Sequence, residues 1–223
     1  MFETEGEWVE AACAQLSAAA AAARGQGRSS LALSLAGGRS PEPIYRAMAA
    51  LRLEGLVVDL WLGDERAVPV GDPERNAAMI ARAFATCLWE AAPRLHLWPP
   101  AGTPDEISSA CSRYEAELVA SLGPFPVFDL ALLGLGADGH TASLFPGYST
   151  DSEAGRLALP TTSPLPPHLR MTLTVKALRP ARRRLFLAKG ADKLEALRAL
   201  EAEDPSIPAS LLAGPGACVF YLR

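Results

Sequence analysis

The chain alternates short apolar runs with longer stretches in which apolar residues recur at helical spacing, and turns rich in glycine or proline separate them. The apolar runs have the length of buried strands and cover Ser30–Leu35, Leu56–Leu62, Leu95–Trp98, Phe128–Leu133, Arg170–Val175, Arg184–Ala188 and Cys218–Leu222. The helical spacing predicts helices over Glu7–Arg24, Pro41–Leu53, Asn76–Trp89, Pro104–Leu122 and Asp192–Ala202. Strands separated by helices indicate βαβ units. The pattern therefore predicts an α/β protein, a Rossmann-like three-layer α/β/α fold with a mainly parallel sheet.

Length and composition are those of a globular protein with one core. The 223 residues contain no repeat, low-complexity linker or shift of composition, so we expect a single domain over residues 1–223. Hydrophobic residues make up 49% and charged residues 21%, which excludes disordered and fibrous classes. The net charge of −4 disfavours a nucleic-acid or an anionic-membrane partner. A small molecule is the expected partner.

Cysteine spacing and the N-terminal segment predict a cytoplasmic protein. The four cysteines are spaced unlike a zinc site or a CxxC redox motif, and we expect reduced thiols at Cys13, Cys87, Cys111 and Cys218. The first residues are acidic, whereas a secretion signal begins with basic residues. The richest apolar stretch, Ala11–Ala23, is too short to span a bilayer. A monomer and a small homo-oligomer are both compatible with this pattern.

Ligands of parallel α/β sheets bind at the carboxyl ends of the strands, so the loops after Leu35, Leu62 and Leu133 should meet in one crevice. The first loop contains Gly37, Gly38, Arg39 and Ser40, followed by Pro41. Ser40 is a suitable N-cap for the next helix, and the free amides of a helix start bind phosphate. The alternative is a plain capped turn without a ligand.

The second loop places three consecutive charged residues, Asp64, Glu65 and Arg66, directly after a strand. An arginine there suits an oxyanion or a phosphate, and a carboxylate suits a sugar hydroxyl or the role of a base. The sequence leaves open which of Asp64 and Glu65 faces the crevice. The alternative is an exposed turn whose charges face water.

The third loop follows the strand at Phe128–Leu133 and carries Gly136, Asp138, Gly139 and His140. Together with Gly134 the glycines satisfy G-x-G-x-x-G, but the helix that a dinucleotide site requires is interrupted by Pro146 and Gly147. Asp138 lies two residues from His140 and can orient its imidazole, which is an arrangement typical of a general base. The alternative is a structural histidine.

Two further cations are candidates for holding phosphate. Arg170 begins a strand after the proline-rich segment Thr161–Pro167, and Lys193 lies at a helix start; each is equally compatible with a solvated surface charge. The proline-rich segment is the best candidate for a mobile loop. His96 and His168 are interpreted as structural. The spacing of the histidine, cysteine and acidic residues fits no metal site, and no cofactor is expected.

Five segments occur in an order that resembles the glucosamine-6-phosphate isomerase/6-phosphogluconolactonase family: Gly37–Pro41, Gly63–Arg66, Gly134–Gly147, Arg170–Thr172 and Ile207–Ser210. The resemblance covers the whole chain and implies hydrolysis of 6-phospho-D-glucono-1,5-lactone to 6-phosphogluconate in the oxidative pentose phosphate pathway. It implies that His140 activates water, that Asp138 positions His140 and that Arg66 stabilises charge on the lactone carbonyl. It also implies that the phosphate is bound by Gly38, Arg39, Ser40, Arg170 and Lys193.

Two alternatives lie close to this interpretation. The deaminase branch of the same family typically has Asn-Glu-Pro where this chain has Leu144-Phe145-Pro146, and phenylalanine cannot relay a proton as that glutamate does. A sugar-phosphate-sensing module of a transcription regulator would need a DNA-binding segment, but Glu3–Arg24 is predicted to be one helix with an acidic start. Both alternatives are therefore disfavoured.

Overall fold

The computed structural model describes all residues from Met1 to Arg223. It has nine strands: β1 (Ser30–Leu35), β2 (Val57–Leu62), β3 (Asp64–Arg66), β4 (Arg94–His96), β5 (Leu130–Gly134), β6 (Ala158–Thr162), β7 (Leu169–Leu173), β8 (Arg184–Lys189) and β9 (Ala217–Leu222). Six of them form a sheet in the order β4-β2-β1-β5-β8-β9, in which every neighbouring pair is parallel. The predicted parallel α/β architecture is confirmed.

Six α-helices connect these strands: α1 (Glu5–Gly25), α2 (Glu42–Ala49), α3 (Asn76–Ala83), α4 (Pro104–Leu122), α5 (Val175–Leu178) and α6 (Leu194–Glu201). The two long helices begin with a capping box. The side chain of Thr4 accepts from the Glu7 amide before α1, and Thr103 accepts from Glu106 before α4. No helix combines the length and the apolar character needed to cross a membrane.

The parallel sheet is covered on both faces. Five consecutive residues of β1 and five of β2 are buried, and because successive side chains of a strand point to opposite faces, helices must cover both. The apolar side chains of 58 buried residues form one continuous cluster around this sheet. The hydrophobic core therefore extends beneath the carboxyl ends of β1, β2 and β5.

The molecule has a second, smaller sheet that the hydrophobic pattern does not predict. β3, β7 and β6 form an antiparallel sheet in that order, although Asp64–Arg66 was predicted as a loop and β6 was not predicted at all. The proline-rich segment from Thr161 is partly the end of β6 and partly the turn to β7. A strand made of three charged residues has no alternation to reveal it, and its partner lies about a hundred residues further along the chain.

The helix α2 begins later than expected, and Ser40 is not its N-cap. The backbone turns at Gly38, where φ is +91°, and the amide of Glu42 donates to the carbonyl of Arg39 at 3.3 Å. The cap position is occupied by Pro41, which makes no side-chain cap. The hydroxyl of Ser40 is therefore not used in capping, and Ser40 lines a cavity instead.

Candidate active site

A cavity of about 580 Å³ lies at the carboxyl ends of the central strands. The loops after β1, β2 and β5 all line it, as predicted from the parallel topology. Of the predicted site residues, eleven lie in its lining: Gly37, Gly38, Arg39, Ser40, Asp64, Arg66, Gly136, Asp138, His140, Arg170 and Lys193. Two do not, namely Glu65 and Gly139.

The loop after β5 turns back tightly and presents His140 to the cavity. The Gly136 amide donates to the carbonyl of His140 at 2.8 Å, and the Gly139 amide donates to the carbonyl of Gly136 at 3.0 Å. Gly139 has a φ of +80° and packs against Ile207, whose side chain would lie 2.4 Å from an added Cβ. Gly139 therefore shapes the loop and does not face the cavity. It was predicted to bind substrate, but its position supports a structural role.

His140 and Asp138 form a close pair within this loop. Nδ1 of His140 lies 2.5 Å from Oδ1 of Asp138, which also accepts from the His140 backbone amide at 3.1 Å. Partial burial raises the pKa of the Asp138 carboxyl, but the hydrogen bonds and the charge of His140 outweigh it, and the net pKa is lowered. Asp138 therefore stays ionised, which keeps a proton on Nδ1 and leaves Nε2 as the free nitrogen of the ring.

Gly136 allows the side chains of His140 and Asp138 to approach the backbone of the loop closely. A Cβ at this position would be 2.1 Å from Nδ1 of His140 and 2.5 Å from Oδ1 of Asp138. No side chain fits in that space. The ring of Phe145 is a second neighbour, with its centroid 5.0 Å from that of His140. The imidazole is thus held by its neighbours while 35% of its side chain remains accessible from the cavity.

Two arginines face the cavity from the small antiparallel sheet. Arg66 on β3 and Arg170 on β7 are direct cross-strand partners. Arg170 donates through Nε to the carbonyl of Pro167 at 2.7 Å, and Arg66 donates to the carbonyl of Glu74 at 2.7 Å. Burial, and then the charge of Arg66, lower the pKa of the Arg170 guanidinium. Two neighbouring guanidinium groups favour an anion between or beside them.

Lys193 and the loop after β1 add to this cationic side of the cavity. Lys193 is paired with its neighbour Asp192 at 2.9 Å and still lines the cavity. Arg39 and Ser40 lie in the same lining, and so does Lys189, which the sequence analysis did not single out. The cavity therefore joins a histidine–carboxylate pair to a concentration of positive charge.

Asp64 faces the cavity and Glu65 does not, which settles the choice that the sequence left open. The Glu65 side chain is completely buried and accepts from three backbone amides: Arg66 at 2.8 Å, Asn76 at 2.7 Å and Ala77 at 2.9 Å. Alternation along β3 explains this, because consecutive residues of a strand point to opposite sides. Burial raises the pKa of the Glu65 carboxyl, against the effect of these hydrogen bonds and of Arg75. The predicted binding role of Glu65 is replaced by that of holding the start of α3.

Two polar residues that contact Asp64 were not predicted as site residues. Ser143 donates through Oγ to Oδ2 of Asp64 at 2.6 Å, and Asn76 donates through Nδ2 to the Asp64 carbonyl at 3.0 Å. Both line the cavity. Asn76 was visible only as the first residue of a predicted helix after a long polar loop, and Ser143 only as part of the motif that follows His140.

The other two histidines lie outside the cavity lining. His96 is paired through both ring nitrogens, with Glu117 at 2.6 Å and with Asp59 at 2.9 Å. Nδ1 of His168 lies 2.9 Å from the carbonyl of Ser163 in the turn between β6 and β7. His140 is therefore the histidine that has access to a ligand.

Comparison with known proteins agrees with this geometry. The family model for glucosamine-6-phosphate isomerases/6-phosphogluconolactonase matches residues 3–220. The 6-phosphogluconolactonase of Synechocystis is 35% identical over 91% of this chain and 84% of its own length. That of Streptomyces coelicolor is also 35% identical, over 76% of this chain and 70% of its own length.

Solved structures show the same architecture. The 6-phosphogluconolactonase of Thermotoga maritima is 27% identical, with a TM-score of 0.79 over 99% of this chain and 97% of that one. The Trypanosoma brucei enzyme is 28% identical, with a TM-score of 0.80 over 100% of this chain and 94% of that one. The chain therefore belongs to the glucosamine-6-phosphate isomerase/6-phosphogluconolactonase family.

Proposed function

We propose that this protein hydrolyses 6-phospho-D-glucono-1,5-lactone to 6-phosphogluconate. The observation that carries the proposal is the pairing of His140 with Asp138 at 2.5 Å beside a cavity lined by several cations. A phosphorylated lactone needs these two features, since a base must activate water and positive charge must hold the anion. The relatives named above as 6-phosphogluconolactonases support the choice of substrate. The four free cysteines support a cytoplasmic location.

The reaction begins with removal of a proton from water. Nε2 of His140 takes this proton while the water oxygen bonds to the carbonyl carbon of the lactone. Asp138 holds the ring through Nδ1 and stabilises the imidazolium that forms. The bond from that carbon to the ring oxygen then breaks, and Nε2 returns its proton to the departing oxygen. Each step uses only side chains of this chain.

The cations have two tasks in this scheme. Arg66 stabilises the negative charge that develops on the carbonyl oxygen, and one such interaction is typically worth about 10²–10³-fold in rate. Arg170, Lys193, Arg39, Ser40 and the amide of Gly38 bind the phosphate. The cross-strand pairing of Arg66 with Arg170 supports this division. In the lactone, only the ring oxygen and one ring carbon separate the carbonyl carbon from the carbon that carries the phosphate, so neighbouring arginines can serve the two groups.

Deaminase chemistry is disfavoured by the neighbour of His140. Phe145 lies 5.0 Å from the imidazole between ring centroids, and a phenyl ring carries no transferable proton. The hydrogen-bond partner of the ring is the carboxylate of Asp138. Such a site serves a single base that activates water, as lactone hydrolysis requires.

A coupled assay tests the proposal directly. Glucose-6-phosphate dehydrogenase generates the lactone in place, and formation of 6-phosphogluconate is followed with and without this protein. We expect a rate well above spontaneous ring opening, and an unchanged rate would overturn the proposed function. Glucono-1,5-lactone, which lacks the phosphate, is the matched control for the cations. Equal kcat/KM for the two lactones would remove the phosphate site from the proposal.

A further inference from the structure

The side chain of Asn76 occupies a position in the cavity lining that nothing in the proposed mechanism uses. Asn76 is the first residue of α3, and its residue surface is only 3% exposed. Its backbone amide is fixed by the buried Glu65 carboxylate at 2.7 Å. Buried polar groups are nearly always hydrogen-bonded, so each polar atom of this amide should have a partner in the protein or in a ligand.

The hydrogen bonds of Asn76 determine which way its amide points. Nδ2 lies 3.0 Å from the carbonyl oxygen of Asp64 and 3.4 Å from its Oδ1. Both neighbours are acceptors, so the nitrogen and not the oxygen must face Asp64. Oδ1 of Asn76 is then turned away from Asp64, and it accepts no hydrogen bond from the protein.

Gly37 holds the amide from the opposite side. A Cβ on Gly37 would come within 2.1 Å of Cγ and Nδ2 and within 2.2 Å of Oδ1 of Asn76. Asn76 is therefore packed between the loop after β1 and strand β3, with little freedom to rotate. Its free Oδ1 and the carboxylate of Asp64 together place hydrogen-bond acceptors in the cavity, where the remaining side chains are largely cationic.

We propose that Asn76 is a specificity-determining residue whose Oδ1 accepts a hydrogen bond from a ring hydroxyl of the lactone. This inference rests on the proposed function, because it takes the lactone as the ligand. The recognised group is a neutral sugar hydroxyl, a donor that suits an amide oxygen. A site with a rigid acceptor discriminates against an analogue that lacks the donor, because the acceptor then stays unpaired.

The test compares wild-type protein with Asn76→Ala on the phosphorylated lactone and on its 2-, 3- and 4-deoxy analogues. We expect Asn76→Ala to lower kcat/KM for the full lactone about tenfold, mainly through KM. For the one analogue that lacks the contacted hydroxyl, the same substitution should cost less than about twofold. An equal loss on all four lactones would overturn the inference. No turnover by the wild-type protein would instead overturn the proposed function.

Gly37→Ala provides a second variant that leaves Asn76 in place. The added methyl group should displace the amide and reproduce the loss seen with Asn76→Ala. In the double variant the methyl group has room, so Gly37→Ala should have no further effect. A further loss in the double variant would show that Gly37 acts through the phosphate, and would contradict the proposed packing of Gly37 against a substrate-binding amide.

A measurement without turnover uses the fact that Asn76 is the only asparagine in the chain. Protein labelled with ¹⁵N at asparagine has a single side-chain nitrogen resonance, which carries two N–H protons and reports directly on this group. We expect 6-phosphogluconate to shift this signal more than inorganic phosphate does, when both are saturating. Equal shifts would indicate an effect of phosphate alone and would overturn the contact with a hydroxyl.

Discussion

His140 and His96 are both bound by carboxylates, but they lie in different surroundings. His140 contacts Asp138 through Nδ1 alone and keeps Nε2 free at the edge of a cavity. His96 is bound through both nitrogens, by Glu117 and Asp59, and its ring stacks on Trp61 with 3.8 Å between ring centroids. The exposed fraction of the side chain is 35% for His140 and 13% for His96.

The difference shows what a histidine needs in order to act as a base. A carboxylate on one nitrogen fixes the ring and the position of its proton, and that feature is common to both residues. Only His140 has a second nitrogen that is free to take a proton from water. Substitutions at the two positions should therefore separate catalysis from stability.

The largest expected effect is that of the same substitution at each histidine. His140→Asn should lower kcat by between about 10² and 10⁴, because the base is lost, with little change in unfolding temperature. His96→Asn should leave kcat nearly unchanged and lower the free energy of unfolding by about 2 kcal/mol, because it leaves a buried carboxylate less well paired. Steady-state kinetics and thermal unfolding of both variants measure this. Comparable loss of activity in the two would contradict the assignment of the base.

The next largest effect on kcat is expected for Gly136→Ala. The new methyl group would overlap Nδ1 of His140 and Oδ1 of Asp138, so the ring must leave its position. We expect kcat to fall about a hundredfold, since a base displaced by an ångström loses most of its effect. The matched control is Gly134→Ala, where an added Cβ has no atom within 4 Å. Full activity of Gly136→Ala would show that the pair is not held as described.

Asp138→Asn should have a smaller effect on kcat, of about tenfold to a hundredfold. The amide still fills the space, but it no longer favours a proton on Nδ1 or stabilises the imidazolium. KM should change little, because Asp138 does not bind the phosphate. A kcat unchanged within twofold, measured beside the His140→Asn variant, would remove Asp138 from the mechanism.

The smallest expected effect concerns stability at acid pH. The pKa of Asp138 is lowered from its ordinary value of 3.8, so its stabilising effect is complete above that value and is lost as the pH falls through the pKa of the folded state. The unfolding temperatures of wild-type protein and Asp138→Asn should therefore converge as the pH is lowered below about 4. Because the side chain is well exposed, the difference at neutral pH should be small. If the difference in unfolding temperature between the two proteins grew as the pH was lowered, the stabilising role of the Asp138 carboxylate would be contradicted.

The main sheet and the position of the His140–Asp138 pair could be predicted from the sequence because their signals are local. Apolar runs identified β1, β2 and β5, and parallel topology then brought their following loops together. His140 and Asp138 are two residues apart, so their contact needs only a glycine-rich turn. The structure confirms the fold, whereas the roles of the individual residues remain predictions.

The features that were missed depend on contacts between distant parts of the chain. The predicted helix from Asn76 ends at Ala83 and not at Trp89, because Leu88 donates to the carbonyl of Ala49 and the indole of Trp89 to that of Met48. The orientation of Glu65 follows from the pairing of β3 with β7, which no local pattern reveals. The packing of Asn76 against Gly37 and its hydrogen bond to the Asp64 carbonyl likewise join residues that are not neighbours in the sequence.

The cross-strand pairing of Arg66 with Arg170 has a consequence for binding. Folding places two like charges side by side before any ligand arrives. Burial first, and then the charge of Arg66, lower the pKa of the Arg170 guanidinium. On the proposed function, a phosphate bound by Arg170 would relieve the repulsion between the two guanidinium groups, and Arg170 would need little reorganisation to bind it. The same relief should make the unfolding temperature of the free protein rise when a simple phosphate ester is added. The folded protein should therefore be least stable when its site is empty.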